Sequence, residues 1–303
     1  MSTELPHFSF EGRSLRLGLA TPVLIMVPGL HASWELDAGI AEVAKIAKAA
    51  DRLGYNHMSC SEHVAIPTDV GVARGSRYWD PLSTFGYLAA VTTKIRLATN
   101  VLVLGYNHPL AISKRYGTLD QITGGRLILG LGVGSLREEF ELLEAPLDDR
   151  GARADDAIRA LRASLSSPRP EYHGPFYSFS DVVLDPCARQ ERVPLWIGGR
   201  TARSLRRAVE LGDGWVPFGV EPGDLSIMIE KARQTPAWSA RTRPFELVLQ
   251  NNLPADPMGD AEGTRRALRG LTEAGATGIQ LRIHHRSVAH YIEQLGAMID
   301  VLD

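Results

Sequence analysis

Cysteine is scarce: Cys60 and Cys187 are the two in 303 residues, a number that argues against a disulfide framework and for a reducing compartment. Long hydrophobic runs are missing as well. No stretch approaches the roughly eighteen apolar residues that a membrane-spanning helix needs. Met1 to Phe10 have neither the basic nor the apolar segment of a secretory leader, so a cytoplasmic protein is expected. Charge of one sign is also absent. The 33 Lys and Arg nearly cancel the 35 Asp and Glu for a net charge of -2, which leaves no basic field to attract nucleic acid. The nucleophile-elbow pattern Gly-x-Ser-x-Gly does not occur. Gly130-Leu-Gly132-Val-Gly134 lacks the third glycine offset of a dinucleotide fingerprint, and the acidic stretch after it would repel a pyrophosphate.

What is present is a hydrophobic content of 44%, enough for a large core, and a regular alternation of short apolar runs with longer amphipathic stretches. Strands are predicted over Leu15–Val27, Tyr55–Cys60, Ile95–Leu104, Leu127–Val133, Leu195–Gly199, Gly214–Phe218, Phe245–Asn251 and Gly278–Ile283. Helices are predicted over Trp34–Gly54, Pro81–Thr92, Pro109–Thr123, Arg150–Leu165, Ala202–Leu211, Asp224–Gln234, Gly263–Ala274 and Val288–Leu302. Residues 168–193, rich in proline and aromatics, break the alternation and read as an inserted loop or hairpin. Eight strand–helix units in one chain favour a single (β/α)₈ barrel domain over residues 1–303. The open doubly wound alternative would need glycines after its first strand.

A barrel carries its chemistry at the C-terminal ends of its strands. There the chain turns polar or glycine-rich, at Ser61-Glu62-His63, Gly105 to His108, Gly134-Ser135, Gly198 to Thr201, Pro217 to Gly219, Asn251-Asn252 and His284-His285. His63 is a candidate proton donor or hydrogen-bond partner for a ring-shaped ligand, set against an idle loop histidine. In Val193-Pro-Leu-Trp-Ile-Gly-Gly-Arg-Thr201, two glycines at a strand-to-helix junction expose backbone N–H groups at a positive helix end, suited to a phosphate. A tight turn that uses glycine for its backbone freedom is the competing account. The small residues Gly130 to Gly134 would let a planar ligand approach the backbone. His284 and His285 do not read as a metal site, since neighbouring strand residues face opposite ways and no third ligand is suitably spaced. The carboxylate pairs Glu138-Glu139 and Asp155-Asp156 read as solvated helix faces. With few nucleophiles at such a mouth, a bound cofactor is expected to carry the reaction.

Gly54-Tyr-Asn-His-Met-Ser-Cys-Ser-Glu-His63, Ile95 to Leu104, His108-Pro-Leu-Ala through Gly134, Glu138-Glu-Phe with Arg150-Gly-Ala-Arg153, Trp196-Ile-Gly-Gly and Gly212-Asp-Gly-Trp215 follow one another in an order that resembles the bacterial luciferase-like flavin and deazaflavin oxidoreductases. The resemblance spans nearly the whole chain. It implies a TIM barrel and a flavin-type ring at its mouth, with a phosphate-bearing tail near Gly198, Gly199, Arg200 and Thr201. It implies that Glu62 and His63 face the ring, His63 matching the histidine that many deazaflavin members use near the transfer site. Gly134 and Ser135 join the cofactor site, and a non-prolyl cis bond at Asn100-Val101 backs the ring. The pattern looks closest to the subgroup that uses coenzyme F420 for hydride transfer to or from an organic substrate. An FMN-dependent monooxygenase served by a separate flavin reductase and a non-catalytic ligand binder are the alternatives. Sugar-phosphate oxidation is not expected, because the place of a family glutamate falls near Arg137, with Glu138 beside it. Family members commonly form homodimers. Ile66, Tyr78, Trp79 and Phe218 are candidates to line the substrate side, with the loop 67–79 and the inserted ribbon.

Overall fold

Strands buried on both faces cannot alternate apolar with polar residues; they need neighbours on either edge and helices outside. Eight such strands are present in the computed structural model, which describes residues 7–302. They are β1 (Arg13–Ala20), β2 (His57–Cys60), β3 (Arg96–Thr99), β4 (Leu127–Gly132), β5 (Leu195–Gly198), β6 (Gly214–Val216), β7 (Glu246–Gln250) and β8 (Gly278–Leu281). Each pairs in parallel with the next, and β8 pairs with β1, so the sheet closes. The helices that return the chain are α1 (Ile40–Leu53), α2 (Pro81–Val91), α3 (Pro109–Thr123), α4 (Arg150–Ser164), α5 (Ala202–Leu211), α6 (Pro222–Arg233), α7 (Ala261–Glu273) and α8 (Val288–Leu302). This is the closed (β/α)₈ barrel that the eightfold alternation predicts.

The core has two parts. A large one lies between strands and helices, and a smaller one of Ala98, Ile128, Trp196, Val216 and Val248 forms a separate cluster on β3 to β7. At the N-terminal end of the strands polar groups are paired: Glu246 accepts from Arg16 at 2.8 Å and from the Trp196 indole at 2.8 Å. The His57 ring lies over Gly18, where a Cβ would stand 2.0 Å from it, and burial drops its imidazole to about 3, so it is neutral. This end is filled by protein, which leaves the opposite end for a ligand.

Several boundaries differ from those predicted, each for a local reason. β1 stops at Ala20. The apolar residues after it run beside the segment before α2, with Met26 N–H donating to Arg77 O at 3.2 Å and Trp79 N–H to Leu24 O at 3.1 Å. Trp34 belongs to a separate 3₁₀ turn, Ser33–Leu36, because Gly39 restarts the chain as the N-cap of α1. The predicted strand Ile95–Leu104 is split at the cis bond Asn100-Val101, with Leu102–Val103 pairing again beyond it. The inserted segment does contain a two-stranded ribbon, Tyr172–His173 with Ser178–Phe179. Asp156, predicted to be solvated, is 1% exposed and anchors that ribbon by accepting from the N–H groups of Phe176 and Tyr177 at 2.9 Å each.

Candidate active site

The wall of the site is a break in β3. Asn100 N–H donates to Cys60 O at 2.8 Å, Glu62 N–H donates to Val101 O at 3.2 Å, and the Ser61 hydroxyl donates to Asn100 O. The end of β2 is thus stitched to the bulge on β3, which fixes where Glu62 and His63 stand. Val101 fills the space over two neighbouring strands. A Cβ on Gly132 would lie 2.5 Å from Val101 Cγ2, and one on Gly198 would lie 2.5 Å from Val101 Cγ1. A Cβ on Gly130 would meet Thr99 O at 2.0 Å, and one on Gly134 would meet the Phe140 ring at 2.4 Å. These glycines make room for the protein's own atoms. That corrects the expectation that their smallness serves a planar ligand.

His63 does not stand alone. Its Nδ1 is 2.7 Å from Glu139 Oε2, which also accepts from the Tyr106 hydroxyl at 2.7 Å. The other oxygen, Oε1, accepts from the N–H groups of Val64 at 2.5 Å and Ala65 at 3.2 Å. The Glu139 side chain has no exposure. Burial by itself would raise its carboxyl, yet donation from His63, Tyr106 and Val64 outweighs it and holds the group below the usual carboxylate range. A carboxylate only accepts, so His63 donates from Nδ1 and leaves Nε2 as the nitrogen not engaged by Glu139. Nε2 has no hydrogen-bond partner among the described residues, the side chain is 21% exposed, and the Tyr78 ring packs edge-on at 4.5 Å.

Glu62, the next side chain back, gives Oε2 to Val103 N–H at 2.7 Å, while Oε1 takes no hydrogen bond from a described residue. Burial pushes its carboxyl up to about 7, helped by the negative charges of Asp80 and Glu139. Folding therefore disfavours its ionised form. The stability it contributes is fullest below its ordinary 4.5 and is lost as pH rises through about 7. Glu62→Gln, which can still accept from Val103, is expected to stabilise the fold at pH 8 by up to about 3 kcal/mol and to leave it unchanged at pH 4. Urea denaturation at the two pH values measures the difference; equal gains at both would contradict the buried, half-ionised carboxyl.

Across the mouth, β5 runs into α5 through Gly198, Gly199, Arg200 and Thr201. Gly199 has φ +137°, and a Cβ there would lie 2.7 Å from Ser204 Cβ, so glycine is required. Thr201 is the N-cap, its hydroxyl accepting from Ser204 N–H at 3.2 Å. Ala202 and Arg203 keep N–H groups without partners among the described residues at the positive end of a ten-residue helix. Arg200 is exposed beside them.

Other predicted residues fall differently. Arg137 lies 3.9 Å from Glu141 at the surface and Glu138 is exposed, whereas Glu139, read from the sequence as solvated, is the buried one. His285 faces inward, accepting from the Trp34 indole at 3.0 Å and lying 3.5 Å from Glu35, while His284 is 3.6 Å from Asp256; burial lowers the His285 imidazole to about 4. Burial also pushes the Cys60 thiol up, which leaves it unreactive. Phe218 is 52% exposed and Trp79 packs against the core. The sequence did carry a signal for Glu139. It stands on the apolar stripe of the short helix Arg137–Leu142, three residues after Leu136 and one before Phe140. A carboxylate on such a stripe must be paired.

Comparison with known proteins agrees with this fold. The sequence profile of the luciferase-like monooxygenases matches residues 21–276. An uncharacterised protein of Mycobacterium tuberculosis is 29% identical over 214 residues, 67% of this chain and 74% of that protein. An FMNH2-dependent dimethylsulfone monooxygenase of Pseudomonas putida is 27% identical over 186 residues, 60% of this chain and 48% of that one. An F420-dependent glucose-6-phosphate dehydrogenase of Microbacterium testaceum is 28% identical over 182 residues, 59% of this chain and 52% of that one. Among solved structures, the monooxygenase RslO1 from Streptomyces bottropensis superposes with a TM-score of 0.72 at 22% identity, covering 94% of this chain and 98% of that one. An F420-dependent secondary alcohol dehydrogenase gives 0.72 at 14% identity, covering 95% and 99%. No helix among the described residues is long and apolar enough to cross a membrane.

Proposed function

The chain belongs to the luciferase-like monooxygenase family, which has F420- and FMN-dependent members, and from that premise we propose that it transfers hydride between coenzyme F420 and an organic alcohol or carbonyl substrate. One observation carries this reading: His63 is held through Nδ1 by a buried carboxylate, with Nε2 open at the mouth of the barrel. When bound, oxidised deazaflavin accepts a hydride and does not productively activate oxygen.

The residues at the mouth fit such a group. The corner Gly198, Gly199, Arg200 and Thr201 offers free N–H groups at a helix end and a guanidinium for a phosphate-bearing tail. Asn100 and Val101 would support the ring from behind, with Gly134 and Ser135 beside it, and Glu62 Oε1 is available to a polar ring atom. His63 Nε2 takes the hydroxyl proton as the carbinol carbon gives up its hydride and the carbonyl forms. In the reverse direction the same nitrogen returns the proton. Glu139 stabilises the imidazolium formed on the way.

Titrating the purified protein with oxidised F420 and with FMNH2, following tryptophan fluorescence, tests the reading. Saturable F420 binding that weakens in Arg200→Ala supports it. Tight FMNH2 binding without F420 affinity would replace it with the monooxygenase alternative, in which a separate reductase supplies the reduced flavin. Firm binding without turnover on any acceptor would make the protein a ligand carrier.

A further inference from the structure

Eight of the twelve large apolar side chains that are exposed among the described residues lie on the loops and short helices that follow the strands at the C-terminal mouth, Leu30, Leu36, Val64, Leu142 and Phe218 among them. Tyr87, Ile122, Val183 and Ile227, the remainder, are spread over outer helices and the inserted segment. Soluble surfaces scatter such residues singly, so a concentration around one opening marks a binding surface.

Part of this surface adjoins His63. Val64 is the next residue, and its N–H is held by the same Glu139 carboxylate that holds the imidazole. Leu142 stands three residues after Glu139, one turn along the same short helix. Together with Pro67, Glu138 and Glu141 it lines a shallow depression. Leu30 and Leu36 sit on the loop after β1, which is tied to the loop carrying His63 by the pairing of residues 24–26 with 77–79. The charges on the lip are mainly acidic: Glu138 and Glu141 border the depression, Glu141 with Arg137 3.9 Å away, and Asp80 and Glu139 lie close enough to Glu62 to raise its carboxyl. A carboxylate or phosphate approaching His63 meets like charge. A second copy docked here about a two-fold axis would bring the acidic lips towards each other, which disfavours self-association through this face.

We infer that the substrate is an uncharged, mainly apolar molecule whose hydroxyl or carbonyl reaches His63 while its hydrocarbon part lies over Val64, Leu142 and the neighbouring rim. The inference rests on His63 being the transfer site. Methyl NMR titration of the full chain with 2-butanone, 2-hexanone and 2-octanone tests it, each ketone set against the alkanoate and the alkyl phosphate of equal length. Kd for the ketones is expected to fall about two- to fourfold per added methylene, with shifts at the Val64 and Leu142 methyls. The anions are expected to bind at least about tenfold more weakly, from repulsion by the lip. Val64→Ser with Leu142→Ser should flatten the length dependence. Length-independent binding, anions that bind as tightly as ketones, or a slope surviving both substitutions would overturn the inference. Because this titration needs no cofactor, failure of F420 binding with the ketone trend intact removes only the redox reading, and the reverse result removes only this one.

Discussion

Replacing His63 with alanine is expected to lower kcat by about 10²- to 10⁴-fold, the usual worth of a positioned general acid or base, while F420 Kd changes no more than a few-fold. The imidazole is 21% exposed, so its removal opens no large buried cavity and the fold should persist. Its Nε2 is the open nitrogen, and the cofactor's tail is assigned to the corner from Gly198 to Thr201 across the mouth. Stopped-flow reduction of bound F420 by the best substrate separates the two quantities. Unchanged kcat would remove His63 from the chemistry, and a large rise in Kd would make it a binding group.

Glu139 gives the second large effect, and two substitutions divide its roles. Glu139→Ala strands the N–H groups of Val64 and Ala65 and the hydroxyl of Tyr106, and should cost about 3–5 kcal/mol of stability, the range for breaking a buried charged network. Glu139→Gln keeps the volume and an oxygen for the two N–H groups. It also places an amide NH₂ near His63 Nδ1, which favours the opposite tautomer with the proton on Nε2. We expect this variant to fold, to lose about 10²- to 10⁴-fold in kcat, and to show that tautomer in the ¹⁵N spectrum of His63. A residue that merely braced the loop would leave kcat unmoved once the fold was intact, even with the tautomer changed. Because its hydrogen bonds hold the Glu139 carboxyl below 4.5, the stability it supplies is present above that pH and is lost as pH falls below it.

The barrel was legible because its evidence is periodic. Eight apolar runs alternate with amphipathic stretches, and α5 and α8 begin and end where the pattern says. What escaped the pattern was set by partners distant in sequence. The apolar stripe marks Glu139 as a carboxylate that must be paired, but nothing near residue 139 names the partners, three donors from the loop after β2. The glycines from Gly130 to Gly134 read as ligand clearance, although the atoms that need the space are Thr99 O, Val101 and Phe140. The short helices Thr68–Arg74 and Arg137–Leu142 were missed because seven- and six-residue segments carry too few turns to show a period.

The most direct measurement is a crystal structure of the protein with oxidised F420 bound. The account predicts the deazaflavin ring against the Asn100-Val101 bulge within contact of His63 Nε2, and a phosphate on the corner from Gly198 to Thr201. A cofactor bound elsewhere, or a mouth closed by the protein's own side chains with that corner bare, would contradict it.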